Sequence, residues 1–160
     1  YVNAATVYDA FGMPERSIEL FEKAKVIYEG NLPKTDGRLG GLYNNMGLAY
    51  MGLKRFGEAY EAFLKALDVM GKVEHGALEQ AITYLNLANA VELEHGLEKG
   101  EKKIEQYLEK AAALLDDPTL PRDGYYAFVC EKCAPTFDYY GYFLMADDLN
   151  ERAKAIYERA

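Results

Sequence analysis

Tyr43-Asn44-Asn45-Met46-Gly47-Leu48-Ala49-Tyr50, followed by Ala59, Phe63 and Ala66, is the stretch that decides the fold. Apolar and aromatic residues recur here at steps of three and four, the period of a helix with one buried face. Gly47 removes a side chain where a neighbouring helix must come close. Ala59, twelve residues on, offers the matching small surface on a second helix. Tyr50 and Phe63 then fill the space around that contact. On the second helix Phe56, Ala59, Tyr60, Phe63, Ala66, Leu67 and Met70 fall on one stripe.

The same skeleton recurs three times. A first copy reads Tyr1, Ala4, Ala5, Tyr8, then Ser17, Phe21, Ala24; a third reads Tyr84, Leu87, Ala88, Val91, then Ile104, Leu108, Ala111. The fourth reads Phe137, Tyr140, Gly141, Leu144, then Ala153, Tyr157, Ala160. Ala5 to Ser17, Gly47 to Ala59 and Gly141 to Ala153 are each twelve residues apart. Ala88 to Ile104 is sixteen, which places an insertion of four in the turn from His95 to Gly100.

This pattern resembles the tetratricopeptide repeat, in the long-period form of kinesin light chains and bacterial peptide-sensing regulators. HEAT and armadillo arrays have similar periods but lack the twelve-residue spacing. The resemblance covers nearly the whole chain and implies an all-α fold, a right-handed superhelical array of antiparallel helix hairpins. The expected organisation is a single array over 1–160, with repeats at about 1–35, 36–73, 74–121 and 122–160. The chain begins and ends inside a repeat, so a longer natural protein is expected.

The punctuation agrees. Pro14 suits a first helical turn, and Asp36 and Asp123 are placed to cap helices. Gly30 to Pro33 and Asp116 to Pro121 read as stops. No segment alternates as a strand would. The aromatic stripe Tyr126, Val129, Cys130, Cys133, Phe137, Tyr140, Leu144 predicts one extended helix from Asp123 to about Asp147, kinked at Pro135.

Asn3, Asn45 and Asn86 each stand two residues before the small residue of a first helix. A row of carboxamides can donate to and accept from the backbone of an extended peptide, and the kinesin-light-chain resemblance implies such a ladder on the concave face. One turn along, Thr6, Leu48, Asn89 and Tyr142, then Asp9, Met51, Glu92 and Met145, share that face, with Asn44 and Asp138 at its edge. Tyr139 takes the asparagine's place in the fourth unit. The expected function is a peptide-binding scaffold; the alternative is a module for self-association or interdomain packing. A carboxylate clamp is disfavoured, because Ile82 and Asn86 stand where Lys and Arg are needed.

Lys and Arg number 18 against 26 Asp and Glu, a net charge of −8. That disfavours nucleic acid and anionic membrane as partners, leaving a protein or peptide segment or a second copy of the chain. Cys130 and Cys133 are too few for a disulfide scaffold, and a reducing, cytoplasmic setting is the simplest reading. Their spacing invites zinc or redox chemistry, but zinc lacks further ligands and a redox pair needs a helix N-terminus. Buried, structural thiols are expected. His75 and His95 have no catalytic partner in the sequence, and no phosphate loop or nucleophile motif occurs. Neither enzymatic activity nor a cofactor or metal is expected.

Overall fold

A computed structural model describes Ala5 and residues 12–159. The helices are α1 (Pro14–Asn31), α2 (Gly37–Gly52), α3 (Phe56–Gly71), α4 (Ala77–Leu115), α5 (Gly124–Tyr139) and α6 (Phe143–Arg159). The described residues contain no strand. Asp36 caps α2 by accepting from the Arg38 amide at 2.9 Å, and Asp123 caps α5 by accepting from the Tyr126 amide at 2.9 Å. Pro14 opens α1 in its first turn, where no amide donor is needed. The two predicted stops hold, with α1 ending at Asn31 and α4 at Leu115.

α2 and α3 pack as one hairpin and α5 and α6 as another. α4 is itself a hairpin. Gly96, at φ 83° and ψ 168°, turns the chain back on itself, so that residues 77–95 and 97–115 run side by side. The Tyr84 and Tyr107 rings stack across it with centroids 6.0 Å apart. The three hairpins described in full each turn through one residue of positive φ, Lys54, Gly96 and Gly141, and Gly12, just before α1, also has positive φ. The segment expected to pair with α1 lies outside the described residues, apart from Ala5. Ser17 Oγ donates to the Ala5 carbonyl at 2.5 Å, which puts that predicted small pair in contact.

Gly47 is the close crossing of the second hairpin: a Cβ there would stand 2.5 Å from the Phe63 ring. Ala59 and Phe63 are fully buried beside it. Two sequence expectations need correction. The insertion in the third unit is not loop. Residues 97–100 form an extra turn of helix, four residues being close to the 3.6 of one turn, so the packed face is nearly kept. Gly100 lets that extra turn pass Val91, whose Cγ1 would be 2.8 Å from an added Cβ.

The second correction concerns the fourth unit. The extended helix to Asp147 does not form. α5 ends at Tyr139 with 16 residues, the same length as α2 and α3. Gly141, at φ +88°, makes the turn, and the Tyr142 amide closes it on the Phe137 carbonyl at 2.8 Å. An added Cβ at Gly141 would meet nothing within 4 Å, so Gly141 is not the close crossing. The true frame lies seven residues earlier. Cys130, Cys133, Ala134 and Phe137 take the places of Tyr43, Met46, Gly47 and Tyr50, and Ala146 that of Ala59. The turns confirm it: Ala59 bonds back to Arg55 as Ala146 does to Tyr142. The helix does run unbroken through Pro135. Pro135 and Glu131 are both on the exposed side, where water can satisfy the carbonyl that proline leaves without a donor.

Tyrosine hydroxyls donating to carboxylates join neighbouring helices. Tyr43 reaches Glu29 at 2.7 Å and Tyr50 reaches Glu22 at 2.6 Å, both from α2 to α1. Tyr60 on α3 reaches Glu94 on α4 at 2.9 Å. Burial first, then the Glu29 bond, pushes the Tyr43 phenol up to about 12. A phenol that stays protonated longer in the folded state adds stability below about pH 10, its unfolded value, and that stability is lost as pH rises through about 12. Tyrosinate absorbance and near-UV dichroism are therefore expected to change together in that window. Full phenol titration near pH 10 with the dichroism intact would contradict this.

Candidate peptide-binding face

α2, the first half of α4 and α5 are the first helices of successive hairpins, and polar side chains cross between them. Asn44 Oδ1 accepts from Asn86 Nδ2 at 2.9 Å and from Thr83 Oγ1 at 3.0 Å, tying α2 to α4. Tyr140 OH donates to Asn89 Oδ1 at 2.8 Å, and Tyr139 OH to Glu92 Oε1 at 2.5 Å, tying α4 to α5. Tyr125 OH donates to Glu79 Oε1 at 2.5 Å on the same seam. Burial first, then the Glu92 charge, holds the Tyr140 phenol above its ordinary range.

The predicted residues divide accordingly. Asn44, Asn86, Asn89, Glu92 and Tyr139 are brought together in this inter-helix network. Asn44 spends both acceptor positions on it, so its role includes joining repeats. Asn45 is half-buried and makes no side-chain hydrogen bond with another described residue. Leu48 and Met51 are half-buried against the core of the first two hairpins. Asp138 is exposed on α5. Tyr142 and Met145 do not join the asparagines. They lie in the last turn and the start of α6, packed on the core of the last two hairpins, because the fourth frame is seven residues out. Asn3, Thr6 and Asp9 lie outside the described residues.

In the corrected frame Lys132, not Tyr139, holds the place of Asn45 and Asn86. Tyr125, Phe128, Lys132, Pro135 and Tyr139 follow one another at helical spacing on α5, and all are exposed. Sequence reasoning missed Tyr125, Phe128, Lys132 and Pro135. The signal that could have found them is Asp123, which precedes its helix as Asp36 does.

Cys130 and Cys133 are free thiols, buried at the repeat positions that elsewhere carry Tyr43 and Met46. Burial, and next the neighbouring Cys130, pushes the Cys133 thiol up to about 12. Since the thiolate is the reactive form, alkylation by iodoacetamide at pH 8 is expected to be roughly a hundredfold slower or more in the native protein than in urea. Equal rates would show that the pair is accessible. Among the described residues no group of three His, Cys, Asp or Glu could hold a metal ion, and no helix is long and apolar enough to cross a membrane.

Helices paired through a left-handed turn residue, each pair stacked on the next, define a helical-hairpin repeat array. Residues 41–69 match the tetratricopeptide repeat family. Over 84 residues the chain is 37% identical to protein HGV2 of Halocynthia roretzi, covering 52% of this chain and 14% of that protein. The chain thus spans a small part of that relative's length. BtubC (BKLC) from P. vanneervenii superposes with a TM-score of 0.63 at 20% identity, over 99% of this chain and 62% of that one. A Podosopora anserina structure, described as kinesin light chain nearly identical TPR-like repeats, gives 0.55 at 18% identity, over 97% and 72%. At these identities the structural likeness is one of fold. Residues 41–69 thus carry a tetratricopeptide repeat, and the fold of the chain is like that of kinesin-light-chain-like arrays. Modules of this kind generally serve as protein-interaction scaffolds.

Proposed function

We propose that the chain is one continuous array that holds an extended peptide segment across the face of its first helices. Asn45 and Asn86 bond the peptide backbone, and the exposed α5 stripe receives apolar side chains. The observation that carries this reading is the state of the two carboxamides. Asn45 makes no side-chain hydrogen bond with another described residue, and Asn86 uses only its Nδ2, keeping Oδ1 for a ligand. An acceptor and a donor left at equivalent places on adjacent helices suit a backbone that offers both. Tyr125, Phe128 and Tyr139 supply rigid aromatic area at low entropic cost.

Peptides selected from a random display library test the site. Their binding is expected to slow amide exchange in residues 37–52 and 77–95. Protection confined to α1, α3 and α6 would place binding on the second helices and refute the proposal.

A further inference from the structure

The extra turn at residues 97–100 has a structural consequence on the far side of the third hairpin. It carries α4 past the turn of the fourth hairpin, and the two enclose a cleft of about 430 Å³. Leu97, Ile104 and Leu108 give it an apolar floor, and Tyr140 and Tyr142 stand along one side. Glu98, Glu101 and Glu105 line the other at steps of three and four. All three are exposed, and none is in an ion pair among the described residues. Of the apolar lining, Leu97 is 55% exposed. Exposed apolar patches rimmed by charge mark interaction surfaces.

We propose that this cleft docks a basic amphipathic peptide segment of a partner protein, which inserts an arginine between the two tyrosines and the glutamate row. Charge complementarity selects this occupant. The chain carries −8, and among the described residues the charged side chains lining the cleft are all carboxylates. A guanidinium stacks on an aromatic face while its edge meets a carboxylate in a two-point bond. Leucine-like neighbours of the arginine cover Leu97. The negative field reaches the rings: burial first, then Glu105 and Glu109, holds the Tyr142 phenol above its ordinary range. This site does not include Asn45 or Asn86 and does not depend on them; it touches the asparagine network only where Tyr140 bonds Asn89.

The probe is a short acetylated and amidated peptide alternating leucine and arginine, titrated into isotope-labelled protein and followed by amide shifts and anisotropy. Shifts are expected at residues 97–108 and 139–144. The E101Q/E105Q variant should bind roughly tenfold more weakly, and a citrulline-for-arginine peptide should lose binding to a similar extent. E131Q/E151Q, an equal charge change elsewhere on the surface, should stay within about twofold. Equal weakening by the two double variants would reduce the effect to net charge and overturn the proposal. So would an undiminished citrulline peptide, shifts confined to α2 and the first half of α4, or no binding at low salt. Self-association that buries the cleft, seen as a concentration-dependent mass lost on E101Q/E105Q, would assign it to a second copy and overturn it equally.

Discussion

Ala59→Arg is expected to abolish the cooperative thermal transition of the second hairpin. Ala59 is fully buried at the crossing of α2 and α3, where Gly47 and Phe63 leave no room for a longer side chain. Overpacking costs about 1–3 kcal/mol, and an unpaired buried charge adds several more. Together these rival the whole stability of a small domain, about 5–15 kcal/mol. Each hairpin here packs on its neighbours, so loss of the second removes support from α1 and α4 as well. Circular dichroism at 222 nm follows the effect directly. A melt like that of the unmodified protein would mean that α2 and α3 do not cross at this point.

Ala134→Arg should damage the fourth hairpin as severely, whereas Gly141→Ala should cost only about 1 kcal/mol. Ala134 is buried where α5 meets α6, in the place that Gly47 holds in the second hairpin. Gly141 faces open space and is needed only for its positive φ, which alanine adopts with modest strain. The pair of melts discriminates between the two frames seven residues apart. If Gly141→Ala were the more damaging change, the fourth unit would have to be reframed.

That frame shows where the sequence was legible and where it was not. Gly47 with Ala59 specified a close crossing because a missing side chain and a small partner at fixed spacing have few other uses. Asp36 and Asp123 were readable as caps because a short carboxylate before a helix satisfies an amide locally. The fourth unit was misread because seven residues are nearly two helical turns. Cys130, Cys133, Ala134 and Phe137 therefore lie on the same stripe as Phe137, Tyr140, Gly141 and Leu144. The twelve-residue spacing holds in both frames, from Ala134 to Ala146 as from Gly141 to Ala153. Gly141 resembled Gly47 in letter but serves a turn. A glycine's letter does not say whether space or backbone angle requires it.

The candidate face was legible in outline only. Periodicity put Asn45 and Asn86 at equivalent places, and that spacing depends on the helix period alone. Which amide stays available depends on which neighbours meet across helices. Asn44 and Thr83, 39 residues apart, find each other only in the packed array. The tyrosine hydrogen bonds from Tyr139, Tyr140 and Tyr125 to α4 were likewise invisible, since nothing local in either helix encodes the other's register. The extra helical turn of the third unit was legible as four residues, but not as the ledge over the fourth turn.

Affinity of a selected peptide for the N45A/N86A double variant tests the scaffold reading most directly. Each carboxamide lost should remove a backbone hydrogen bond worth about 0.5–1.5 kcal/mol. Two such losses predict binding weaker by roughly tenfold or more, with the melting temperature shifted by only a few degrees for the Asn86–Asn44 bond that is also removed. Unchanged affinity in a folded double variant would show that the asparagines do not hold the peptide, and would contradict the account.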